Sequence, residues 1–116
     1  MTMSWQPYAR HILDTIAKIH RIAARGDLCQ DEVLYDATLR NLQTLSEATQ
    51  HLPEFVKQRH PAIPWKQISG FRNIILMHDY LGRIDPQTVL GVIEQHLSPL
   101  EAAVQAILAS ENGDMS

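Results

Sequence analysis

The sequence predicts an all-α fold: an antiparallel four-helix bundle with a short extra helical turn, one domain over residues 1–116, paired as a homodimer. Three observations carry that expectation. Apolar residues recur every three or four positions in several stretches, the spacing of a helix with one buried face. No segment alternates apolar and polar residues long enough to make a strand. The connections are short, which sets successive helices antiparallel. Pairing follows from size, because a chain of 116 residues, 45% of them hydrophobic, buries a limited share of its surface alone.

The first helix opens at Ser4 as N-cap and carries Ile12, Ile16, Ile19 and Ala23 on one stripe. Gly26-Asp27 ends it, with Arg21 and Arg25 near its carbonyl end, where cations are favoured. The second runs from about Asp31 to Leu52 on Val33, Ala37, Leu42, Leu45 and Ala48, and Pro53 closes it. Glu54 to Arg59 makes the extra turn. His60-Pro61-Ala62-Ile63-Pro64-Trp65 reads as a rigid extended connector, since each proline biases its predecessor away from helix. Helical character resumes from Trp65 to about Leu81 and stops at Gly82. Asp85-Pro86 starts the last helix, with Asp as N-cap and Pro in the first turn. Val89, Ile93, Leu97, Leu100, Val104 and Ile107 form its apolar face, and Ser98-Pro99 within it predicts a kink. From Glu111 to Ser116 the end is expected to fray.

A net charge of −3 rules out a global positive field, so contact with nucleic acid needs a local cluster of Arg and Lys, assembled across two subunits. The lone Cys29 forms neither an internal disulfide nor a CxxC metal site, and nothing around it marks a nucleophile. Six histidines are scattered without helical pairing, Glu-x-x-His is missing, and no metal site is expected. No glycine-rich phosphate loop and no Gly-x-Ser-x-Gly elbow occur. The N-terminus lacks a signal-peptide pattern and no apolar run has membrane length, so the expected compartment is the cytoplasm, with no membrane partner and no cofactor.

The stretch from Trp65 to Gly82 is the one that invites chemistry. An unbroken apolar run, Ile74 to Met77, sits beside Arg72, Asn73, His78, Asp79 and Tyr80. A buried Arg is costly unless paired, so such a cluster is either a satisfied core network or an active site. Metal-free RNA cleavage needs a group that titrates near neutrality, which His supplies. It also needs fixed positive charge for the phosphoryl oxygens, which Arg supplies. Asn73 could orient either the phosphate or the His.

That segment resembles the Arg-Asn-(x)n-His-x-Tyr signature of the HEPN superfamily, in its HepT toxin branch. Around it, Tyr35-Asp36-Ala37-Thr38-Leu39-Arg40-Asn41-Leu42 with Ser46-Glu47-Ala48 resembles the family's second helix. Pro61-Ala62-Ile63-Pro64-Trp65 is similar to its connector, and Ile84-Asp85 to its lead into the last helix. The resemblance implies a homodimeric helical ribonuclease toxin with Arg72 and His78 catalytic and Asn73 supporting. It implies an antitoxin partner too, the nucleotidyltransferase MntA, which transfers AMP to Tyr80. Bulk and negative charge beside the phosphate site would then exclude RNA.

In the family four residues usually separate the Arg from the His; here Asn73 to Met77 make five. On a straight helix Arg72 and His78 would lie roughly 120° apart, and His78 and Tyr80 about 160° apart. Either a helical bulge brings the groups together or two subunits share the site. The alternative function is a non-catalytic nucleotide- or substrate-binding companion of a nucleotidyltransferase, which the acidic charge and the altered spacing favour slightly.

Overall fold

A computed structural model describes residues 4–71 and 84–113, with side chains as far as residue 110. The described residues are helical, with turns between and no strand. The elements are α1 (Gln6–Ala23), α2 (Glu32–Gln50), the single turn α3 (Glu54–Lys57), α4 (described over 65–71), α5 (Pro86–Val92) and α6 (Ser98–Gly113). A π-helical turn, Ile93–Leu97, joins α5 to α6.

Helix α1 buries Ala9, Ile12, Ile16 and Ile19 completely, while Ala23 is half-buried. Full burial of each isoleucine contributes roughly 1.5–3 kcal/mol. The N-cap is Trp5 rather than the expected Ser4, and no side chain caps it. The reason is Pro7: with Ser4 as cap the third helical residue would be a proline, which has no N–H to donate. Ser4 instead donates its hydroxyl to the Gln6 side chain.

Asp31 caps α2, accepting from the backbone N–H of Val33 at 2.9 Å and of Leu34 at 3.2 Å. The buried line of α2 is Tyr35, Thr38, Leu39, Leu42, Leu45, Ser46, Ala48 and Thr49. Two residues of the expected stripe are off it, since Val33 is 75% exposed and Ala37 half-buried. The face is set by Tyr35 and its successors at three- and four-residue spacing, and Val33 in the first turn points away from it. Buried hydroxyls on this face bond back along the helix: Thr38 to the Leu34 carbonyl and Ser46 to the Leu42 carbonyl, each at 2.8 Å. Among the described residues no buried side-chain polar atom is left without a partner.

The connector after α3 is a series of tight turns, where extended chain was expected. The Ile63 N–H donates to the His60 carbonyl at 3.1 Å, with Pro61 between them in the second position of a β-turn. Proline's fixed φ suits that position as well as it suits extended chain. Trp65 locks the turn, its indole N–H shared between the Lys57 carbonyl at 3.1 Å and the His60 carbonyl at 3.0 Å.

The cap expected at Asp85 is present, its carboxylate accepting from the Gln87 N–H at 3.3 Å with Pro86 in the first turn. Val89, Ile93, Leu97, Leu100, Val104 and Ile107 are all buried, as their spacing requires. The interruption expected at Ser98-Pro99 takes the form of the π turn just before it. Pro99 cannot donate to the carbonyl four residues back, and its ring needs room there; one wider turn supplies that room. The helical rod then continues to Gly113, past Glu111 where fraying was expected. From Pro86 it is about 42 Å long, which accounts for most of the 49 Å length of a molecule 28 and 27 Å across.

Helix α1 packs along α2 and touches α6. Near the C-terminal end of α2, Thr49 meets Ser69 of α4, hydroxyl to hydroxyl at 3.0 Å, and the Gln50 amide donates to the Ser69 carbonyl at 3.3 Å. At the same end the ring of His51 stacks on Tyr8 of α1, centroids 4.2 Å apart.

Candidate active site

Arg72, Asn73, His78 and Tyr80 lie outside the described residues, together with Gly82 and the expected end of the third long helix. What the structure gives is the frame on both sides of them. Phe71, immediately before Arg72, is 8% exposed. Ile84 follows the segment, and its carbonyl accepts a hydrogen bond from the hydroxyl of Tyr35, a residue with no exposed surface. Phe71 and Ile84 line one cavity of about 80 Å³ with Leu39 and Leu42 of α2 and Thr88, Val89 and Val92 of α5. Phe71 and Ile84, the described residues on either side of the candidate catalytic residues in the sequence, therefore share one apolar patch.

The π turn lies against this frame. It carries His96, half-buried, whose ring centroid is 6.1 Å from that of Phe71 at a tilt of 57°. Turns of this kind recur at functional sites because the widened helix re-aims a side chain. Of the other described histidines, His11, His20 and His51 are exposed and His60 half-buried. Among the described residues no group of three or more His, Cys, Asp and Glu gathers where it could hold a metal ion. No described helix is long and apolar enough to cross a membrane.

On the opposite side of the α5 cap, Cys29 accepts from the Gln87 amide at 3.1 Å, and its own N–H donates to the Asp27 carboxylate at 2.9 Å. Desolvation by its neighbours, and then the nearby Asp27 and Asp85 carboxylates, push the thiol pKa above its ordinary value. A thiolate is the reactive form, so this environment is the reverse of one that activates a nucleophile.

Two parts of the frame were not assigned by sequence reasoning, the Tyr35–Ile84 bond and the contact of His96 with Phe71. Tyr35 stands at the head of the second-helix pattern quoted above, so its position was marked while its partner, 49 residues away, was not. His96 falls between the buried Ile93 and Leu97, where a half-exposed histidine gives no sequence signal.

Comparison with known proteins bears on the whole of this frame. The family model described as ribonuclease HepT-like matches residues 12–107. A candidate RNase of Caldanaerobacter subterraneus subsp. tengcongensis is 33% identical over 110 residues, covering 91% of this chain and 96% of that one. A protein of Thermococcus cleftensis named as a probable ribonuclease HepT is 25% identical, covering 92% and 98% of the two chains. A longer protein of Methanocaldococcus jannaschii, named as a gamma-glutamylcyclotransferase and candidate RNase, is 27% identical over 87% of this chain and 46% of its own length. No solved structure matches significantly. From α1 to α6, and through the segment that carries the Arg-His-Tyr signature, the chain belongs to the HepT-like ribonuclease family.

Proposed function

We propose that this protein is a metal-independent ribonuclease acting as the toxin of a toxin–antitoxin pair, with Arg72 and His78 as its catalytic residues. One observation carries the reading. The family match over residues 12–107 takes in both the framing elements and the whole Arg72–Tyr80 signature. His78 removes the proton from a ribose 2′-hydroxyl, whose oxygen attacks the adjacent phosphorus. The bond to the 5′-oxygen breaks, that oxygen is protonated, and a 2′,3′-cyclic phosphate remains. Arg72 offers planar donors to the phosphoryl oxygens as negative charge gathers on them, and Asn73 orients the group.

The architecture that serves this chemistry is an antiparallel four-helix bundle in a symmetric homodimer. Two facing copies of the signature supply the local positive charge that the net charge of −3 denies the molecule as a whole. The antitoxin is a nucleotidyltransferase of the MntA kind in the same cytoplasm. The Tyr80 phenolic oxygen attacks the α-phosphorus of ATP, pyrophosphate leaves, and the tyrosine retains AMP, whose charge and bulk repel RNA.

Incubation with the cognate nucleotidyltransferase, ATP and Mg²⁺ should add AMP to Tyr80, by peptide mass spectrometry, and abolish RNA cleavage. Modification on another residue, or an unmodified product with a partner proven active, would overturn the regulatory half of the reading. An unmodified, folded protein that binds RNA and never cuts it would favour the non-catalytic companion instead.

A further inference from the structure

Outside the frame of the candidate active site, three cationic side chains gather at the C-terminal end of α1. Lys18, Arg21 and Arg25 fall on one face of α1 and the turn after it, spanning about 10 Å along the helix axis. All three are exposed. Together with Ile22 and with Val33, Leu34 and Ala37 of α2, they line an open groove of about 330 Å³. These are three of the chain's ten cationic side chains. Among the described residues none of the three is engaged in an ion pair, so their charge is directed to solvent.

We infer that this groove is a docking track for the phosphodiester backbone of single-stranded RNA, built from residues other than Arg72 and His78. The inference rests on the ribonuclease reading for the identity of its occupant. Three lines support it. In a chain of net charge −3, binding a polyanion requires a local cluster, and Lys18, Arg21 and Arg25 form one along a single groove. Its composition fits a backbone rather than bases: Lys and two Arg for phosphate oxygens, an aliphatic floor for the sugars, and no aromatic lining residue on which a base would stack. Its position is adjacent to the frame. Leu34 lines the groove, and its neighbour Tyr35 holds Ile84, the first described residue after the signature. A strand lying along α1 thus runs beside the turn of α2 that holds Ile84. The track would hold RNA of any sequence and leave selection of the scissile bond to the catalytic site.

The test uses the full chain carrying His78→Ala, so that RNA survives, and compares it with the same chain carrying Lys18→Gln, Arg21→Gln and Arg25→Gln as well. All three positions are on the surface, and circular dichroism verifies the fold. Affinity for a fluorescent 20-nucleotide single-stranded RNA is measured across a salt series. Losing three phosphate contacts should weaken binding at least ~10-fold and reduce the slope of log affinity against log salt by about 2, since each contact on a single strand contributes roughly 0.7. Affinity within twofold and an unchanged slope would overturn the proposal. So would a variant that keeps its RNA affinity but no longer binds the nucleotidyltransferase, because the groove would then be a protein-docking surface. Cleavage of a trinucleotide by the chain with His78 intact reads the catalytic site separately. Groove-dependent binding without any cleavage would sink the ribonuclease reading and leave the RNA track standing.

Discussion

A single hydroxyl, that of Tyr35, ties α2 to the carbonyl of Ile84, the first described residue after the candidate catalytic segment. The ring is fully buried, so Tyr35→Phe keeps its packing and removes only the polar contact. A neutral hydrogen bond of this kind contributes about 0.5–1.5 kcal/mol, and urea unfolding should show a loss of that size. Because the bond holds Ile84 in place, RNA cleavage should fall further than stability alone explains. A variant with normal stability and normal cleavage would show that the tether positions nothing. At this scale the sequence was legible where a residue's role is local. Asp85 caps its helix as expected of an aspartate just before a proline at a helix start. It was illegible where the role depends on a residue far along the chain, as for Tyr35 with Ile84 or His96 with Phe71.

Among the elements, α2 and the last rod show how far periodicity reaches. The six apolar residues assigned to the rod are all buried, because long aliphatic residues at regular spacing leave one solution for the face. In α2 the pattern is blurred by Thr38, Ser46 and Thr49, which satisfy their hydroxyls on backbone carbonyls and so enter the core as if apolar. Val33, expected on one stripe with Leu42, Leu45 and Ala48, is exposed instead and forms part of the cationic groove. The proline-rich connector was misread for a related reason, since proline's dihedral serves a turn and an extended chain alike. The start of α2 offers a direct check. Asp31→Ala removes the acceptor for two backbone N–H groups, and the expected cost is ~1 kcal/mol in denaturant unfolding. Asp31→Asn should recover most of it, whereas no recovery would mean that the carboxylate acts by its charge and not as a cap.

For the whole molecule, the proposed pairing of two copies can be set against size and surface. A folded monomer of 13.2 kDa is expected to expose roughly 6400 Å², and this chain exposes 7183 Å². The elongation produced by the rod from Pro86 to Gly113 contributes to that excess. Pairing two copies would cover it and would set two Arg72–His78 segments in one cleft. Sedimentation equilibrium at micromolar concentration should return twice the chain mass; a monomer would leave the five-residue Arg–His spacing with no second subunit to complete the site. The all-helical class and the family were legible from the chain alone, because they rest on periodicity and on motifs spread along its length. Arg72, Asn73, His78 and Tyr80 fall between the two framing elements, so their roles come from chemistry and from family membership.

Arg72 and His78 are proposed to cut RNA without a metal. The most direct measurement is cleavage of a defined single-stranded RNA by the purified protein in excess EDTA, alongside His78→Ala and Arg72→Ala. The expected result is undiminished cleavage by the unmodified chain, products ending in 2′,3′-cyclic phosphate, and a fall of at least ~100-fold for His78→Ala, the scale of a lost general base or acid. Cleavage that stops on chelation and returns with a divalent ion, or that survives the loss of His78, would contradict it.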